Sequence, residues 1–162
     1  VPMLAYAPGK IKPGTVISDM VQNIDVAPTF LELAGITLPE ASPKIDGTSF
    51  APIFANKKIK NPRKHILYEY HWEWNFPATP TCIAIRTNKY KYVYYHGIWD
   101  RNGFYDLEHD PNERHNLIQL PQYKKIISQL RTQLFSELES SGGLNMPLRP
   151  PKGDQFYDRK LR

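Results

Sequence analysis

Cys82-Ile83-Ala84-Ile85-Arg86-Thr87-Asn88-Lys89-Tyr90-Lys91-Tyr92-Val93-Tyr94-Tyr95 reads as two strands and a turn. Cys82, Ala84 and Arg86 fall on one face of the first strand. Tyr90, Tyr92 and Tyr94 alternate with Lys91, Val93 and Tyr95 in the second. A period of two, in β-branched and aromatic residues, is the mark of a pleated strand. Asn88-Lys89 between them predicts a tight hairpin. Working outward, Ile66 to Tyr70 predicts a strand before this hairpin, and Phe104 to Leu107 one after it, stopped by Asp110-Pro111. Consecutive strands with short connections pair antiparallel. Pro121 to Glu139 predicts a helix whose stripe of Tyr123, Ile127, Leu130, Leu134 and Leu138 lies across one face of that sheet, with Gly142-Gly143 ending it.

The first third has a different texture. The apolar run from Pro2 to Pro8 predicts a strand buried on both faces, as in a parallel sheet. Asp25 predicts the N-cap of a short helix, with Pro28 in its first turn and Gly35 after its end. Phe30, Leu31, Leu33 and Ala34 supply its apolar face. Ile36 to Pro62 is irregular, apart from a turn at Asp46-Gly47 and an apolar patch from Phe50 to Phe54, and reads as a linker packed on the surface. The fold class is therefore α/β, with an α+β C-terminal lobe. Three parts are expected: residues 1–62, residues 63–144, and a basic, Pro-rich tail over 145–162.

Length and composition bound the function. The chain has 162 residues, 41% of them hydrophobic and 23% charged, which is the make-up of a folded domain. No apolar run approaches the ~18 residues of a membrane span. The single Cys82 excludes an internal disulfide or a multi-thiolate zinc site. Val1 is not an initiator Met, and the chain reads as a segment of something longer. The net charge of +5 fits a polyanion partner. The basic run Lys57, Lys58, Lys60, Arg63 and Lys64, however, reads more simply as a solvated linker than as a nucleic-acid site.

Few residues carry chemistry. His71-Trp72-Glu73-Trp74 lies after one strand and before the turn-rich Pro77 to Pro80. Two indoles and an imidazole there can stack on a sugar ring and bond its hydroxyls. Core filling by both Trp side chains is the competing reading. His96 ends a Tyr-rich strand beside Gly97 and joins His71, Trp72 and Trp74 as a candidate substrate-binding residue. His65, His109 and His115 are scattered, with no paired ligand spacing. Asp106, Glu108 and Asp110 imitate the start of a calcium loop, but the Gly and closing Glu are out of register, so this is a turn. No catalytic residue and no metal ligand is assigned.

Several segments together resemble the sulfatase family of the alkaline phosphatase superfamily. They are Val1 to Leu4 with Pro8 to Gly14, Asn23 to Thr29 with Leu31 to Gly35, Asp46 to Ser49, Ile85 to Lys91, and Phe104 to Pro111 with Asn116-Leu117. Their order matches the C-terminal third of such enzymes. The stretch from Tyr68 to Thr81 looks most like bacterial glycan sulfatases of the N-acetylglucosamine-6-sulfatase and heparan type. The resemblance implies the last strand and helix of an alkaline-phosphatase-like domain, then a small four-stranded antiparallel sheet packed by a C-terminal helix. It implies a sulfuric ester hydrolase using calcium and a formylglycine nucleophile, both held upstream of Val1, and inactivity of this segment alone. It also implies a sulfated carbohydrate substrate, the rest of the catalytic domain as partner, and a periplasmic or extracellular location. Cys82-Ile83-Ala84-Ile85-Arg86 nearly matches the Cys-x-Pro-x-Arg signal for formylglycine, but it reads as a strand and aligns elsewhere. A non-catalytic module binding sulfated polyanions and a metal-dependent phosphoesterase are the rival readings.

Overall fold

The computed structural model describes residues 3–55, 57, 59, 62–71, 78–97 and 101–145. The chain divides into two compact units, Val1–Ile66 and Leu67–Arg162.

In the first unit a 3₁₀ turn, Asn23–Asp25, leads into α1, Val26–Leu33, and a one-turn α2 follows at Ala51–Phe54. The end of α1 is a Schellman motif. The Ile36 N–H reaches the Leu31 carbonyl (2.9 Å) and the Gly35 N–H the Glu32 carbonyl (3.1 Å), with Gly35 at φ 68°. Asp25 precedes α1 as expected, but its carboxylate does not cap that helix. It turns back to accept the Gln22 N–H (2.8 Å) and outward to accept the Thr48 N–H (2.7 Å) and the Arg63 guanidinium. Arg63 also donates to Gln22 Oε1 (3.0 Å). It is therefore a structural cation and not a member of a solvated run. Thr29 extends the joint, donating to the Asp25 carbonyl (2.6 Å) and accepting the Phe50 N–H (3.0 Å). Gly47 lies so close that a Cβ there would stand 2.0 Å from the Ile24 oxygen.

One expectation fails in this unit. Met3 to Ala7 forms no strand, and Leu4 and Tyr6 are 98% and 92% exposed. A both-sides-buried strand needs neighbours for its N–H and C=O groups, and no described residue supplies them. The apolar side of α1 is open within this chain, Phe30 being 66% exposed and Leu33 and Ala34 exposed with it, which accords with a helix too short to stand without a larger partner.

The strands are β1, His65–Tyr70; β2, Cys82–Thr87; β3, Tyr90–Tyr95; and β4, Gly103–Asp106. They form one antiparallel sheet in the order β1-β2-β3-β4. Cys82 pairs with Tyr95, Ile85 with Tyr92, and Tyr92 with Phe104. The Thr87 hydroxyl closes the hairpin, accepting the Tyr90 N–H (2.9 Å) and donating to the Tyr90 carbonyl (3.1 Å). Ile83, Ile85, Tyr92 and Phe104 face α3, Lys124–Ser141, whose buried stripe is Leu130, Leu134 and Leu138. The spacing of four in that stripe is the one the sequence predicts. Tyr94 meets Phe135 edge-on, and the Tyr123 ring lies 5.3 Å from Phe104.

Candidate functional site

Strand connections decide where side chains can meet. β1 ends and β2 begins at one end of the sheet, and there too β3 ends and β4 begins. The chain stretches 71–81 and 96–102 therefore both start and finish at that end. Their bases are tied directly, the His96 N–H donating to the Thr81 carbonyl (2.9 Å). The topology thus brings His71 and His96, predicted separately from sequence, to the same end of the sheet. Trp72 and Trp74 lie outside the described residues.

The base of the second stretch is braced from a distance. Asn102 Oδ1 accepts the Tyr95 N–H (3.0 Å), while the Asn102 carbonyl accepts from Asn116 Nδ2 (3.0 Å). Asn116 Oδ1 in turn accepts the N–H groups of Phe104 (3.0 Å) and Ile118 (3.1 Å). One side-chain amide on each residue so fixes both ends of the loop. Sequence reasoning missed Asn102, and it noted Asn116 only as part of a motif; the signal was the pairing of two Asn residues with backbone that only the fold creates.

At this end His71 Nε2 faces Glu69 Oε2 at 3.7 Å, with both side chains about one-third exposed (32% and 34%). His71 Nδ1 is enclosed and has no hydrogen-bond partner among the described residues. His96 is exposed, as is Arg101.

The opposite end is a charged turn. Asp106 Oδ1 accepts the Glu108 N–H (3.1 Å), and its Oδ2 lies 3.0 Å from His109 Nδ1. Lys91 pairs with Glu113 (2.6 Å), Lys89 with Glu108 (2.8 Å), and His115 with Asp110 (3.4 Å). Asp106, Glu108 and His109 bring three ligand-type atoms together. They do not fit calcium, because the Asp106 oxygens already serve the turn and His109 is a nitrogen donor, whereas calcium takes six to eight oxygens. Cys82 does not fit a formylglycine either. It sits in β2 opposite Tyr95, and burial pushes its thiol up against the smaller pull of Lys91.

Asp106 makes that turn pH-sensitive. Burial raises its carboxyl, but the His109 ring and the backbone N–H groups of Glu108 and His109 outweigh this, and the net lies below the ordinary range. A folded-state pKa below the unfolded one gives stability above about pH 4, lost as pH falls through the folded value. Asp106→Asn is expected to lower the melting temperature at pH 7 and to have a shrinking effect toward pH 2. An equal deficit at both pH values would contradict this.

The comparisons with known proteins agree with this architecture. Residues 1–140 match the family model for N-sulphoglucosamine sulphohydrolase, C-terminal. The chain is 30% identical to an N-acetylglucosamine-6-O-sulfatase of Bacteroides thetaiotaomicron, over 90% of this chain and 26% of that protein. It is 38% identical to a choline-sulfatase of Rhizobium meliloti, over 75% of this chain and 22% of that protein. A solved complex of a protein with its substrate D-glucosamine-2-N,6-O-disulfate superposes on 86% of this chain and 28% of that one, with a TM-score of 0.72 and 29% identity. The chain spans between 22% and 38% of the length of the first curated relatives it matches.

Proposed function

Because this chain belongs to the sulfatase family, as its C-terminal domain, we propose that it serves an enzyme hydrolysing sulfate esters on a sulfated glycan. Its part is to contact the sugar at the end of the sheet where residues 71–81 and 96–102 begin and finish. The tie between His96 and Thr81, which joins the bases of the two stretches, carries this reading. In it His71 and His96 hydrogen-bond ring hydroxyls, and Trp72 and Trp74 offer stacking faces to the C–H side of the ring. Calcium and formylglycine belong to the rest of the enzyme, so this chain alone turns over no sulfate ester. The N-acetylglucosamine-6-sulfatases among the relatives and the complex with D-glucosamine-2-N,6-O-disulfate support a glycan, while the choline-sulfatase supports a small ester. A periplasmic or extracellular place goes with that substrate; among the described residues no helix is long and apolar enough to cross a membrane.

The first unit supplies the second part of the proposal. Leu4, Tyr6, Val16 and Phe30 are exposed apolar side chains in one small unit, and removing them from water favours a covering partner. The remainder of the catalytic domain covers them.

Amide hydrogen exchange in the full-length enzyme tests the sugar contact. Saturating N-acetylglucosamine 6-sulfate is expected to slow exchange at residues 70–71, 78–82 and 95–97, and to leave the turn at 106–116 unchanged. Slowing confined to the 106–116 end, or absent from both loop bases, would sink the reading.

A further inference from the structure

We propose that Glu69 and His71 together read one free hydroxyl of the sulfated sugar and reject a sulfate at that position. The inference rests on the proposed sugar contact at this end of the sheet. It adds the chemical group that is read there and assigns a selecting role to Glu69.

Glu69 and His71 are two residues apart, the spacing that puts side chains on one side of a strand. The 3.7 Å between His71 Nε2 and Glu69 Oε2 is too long for a hydrogen bond between them. It leaves room for one bridging oxygen at about 2.8 Å from each. The ring has little freedom in how it meets that oxygen. Its Nδ1 is enclosed with no partner among the described residues, so the Nε2 edge beside the carboxylate is the one open to a ligand, and the ring N–H belongs there. The exposed edge of the pair is thus a donor next to an acceptor.

Glu69 is backed by the end of α3. A Cβ on Gly143 would lie 3.0 Å from Glu69 Oε2, so the carboxylate stands against backbone and is not free to swing wide.

A donor and an acceptor around one oxygen select a hydroxyl, which accepts from Nε2–H and donates to the carboxylate at once. A sulfate ester has only acceptor oxygens. It could take the Nε2–H, but its charge would then stand against Glu69, and such like-charge juxtaposition discriminates strongly between ligands. A site built to bond a hydroxyl also rejects analogues that leave its polar groups unpaired. The pair therefore sets which sugar positions must be free of sulfate, a separate matter from which sulfate is cleaved.

The test uses the full-length enzyme with glucosamine 6-sulfate and its derivatives carrying one further sulfate at N2, O3 or O4. For the wild type, one added sulfate is expected to lower kcat/KM far more than the others. In Glu69→Gln, the ratio of kcat/KM for that disulfate to the parent sugar should rise by about tenfold or more, while Glu69→Asp, which keeps the charge, should retain the rejection. Glu69→Ser is a second neutral variant that must relax the ratio in the same direction, and melting curves identify any variant that fails to fold. An unchanged ratio in a folded neutral variant overturns the inference and leaves the sugar contact standing. Failure of the enzyme to turn over any of these sugars overturns the proposed function, and this inference with it.

Discussion

Gly47→Ala is expected to give the largest stability loss of any Gly→Ala substitution among the described residues. The new Cβ would stand 2.0 Å from the Ile24 oxygen and 2.6 Å from its carbonyl carbon. Both are backbone atoms, so no side-chain rotation relieves the clash. Either residues 46–49 or the 3₁₀ turn Asn23–Asp25 must move. Moving either pulls the Thr48 N–H from the Asp25 carboxylate. Overpacking of this kind typically costs about 1–3 kcal/mol and occasionally more; the added loss of a charged hydrogen bond places this case at or above about 3 kcal/mol. Urea unfolding followed by intrinsic fluorescence reads it directly. A midpoint within the scatter of surface substitutions would mean that the close approach is not a feature of the folded chain.

Asp25→Ala follows from the same joint. The residue is 1% exposed, and its carboxylate gathers two backbone N–H groups and the Arg63 guanidinium. Removing it leaves two orphan donors and a cation whose side chain is only 20% exposed. Breaking a buried pair by deleting one partner costs about 3–5 kcal/mol, and the partial exposure of Arg63 puts this one near the lower end. Arg63→Ala should cost less than Asp25→Ala, because the backbone donors still hold the carboxylate. The two losses should not add in the double variant, since both remove one interaction. Additive losses would show that Arg63 and Asp25 act independently.

These residues also mark where reading the sequence stops. The hairpin from Cys82 to Tyr95 is legible because everything that specifies it is local: alternation on both strands and a two-residue turn. The Leu130, Leu134 and Leu138 stripe is legible for the same reason, as a period within one element. Asp25 looks like an ordinary N-cap, and nothing nearby tells that its partner is Arg63. Arg63 in turn looks like one more charge in a basic run. The run from Pro2 to Pro8 has a strand's composition, but a strand is a relation between chains of backbone, and its neighbours are not among the described residues.

The candidate site lies between these cases. His71 and His96 are readable as loop residues after strands, and counting antiparallel connections places them at one end of the sheet. The enclosed Nδ1 of His71 and the Asn102–Asn116 brace are not readable, because each depends on where an end of one element meets another. The opposite, charged end shows the hazard of pattern alone. Asp106, Glu108 and Asp110 resemble ligands in sequence, yet in the fold the oxygens of Asp106 and Asp110 serve the turn itself.

The central claim is that one end of this sheet, and not the other, meets the sugar. Steady-state kinetics of His71→Ala, His96→Ala and His109→Ala in the full-length enzyme, on N-acetylglucosamine 6-sulfate, test it most directly. The account predicts a fall in kcat/KM of about tenfold or more for His71→Ala and His96→Ala, the loss of a hydrogen bond or two, with His109→Ala close to wild type and all three melting cooperatively. Wild-type kcat/KM in both His71→Ala and His96→Ala, or a larger fall in His109→Ala, would contradict it.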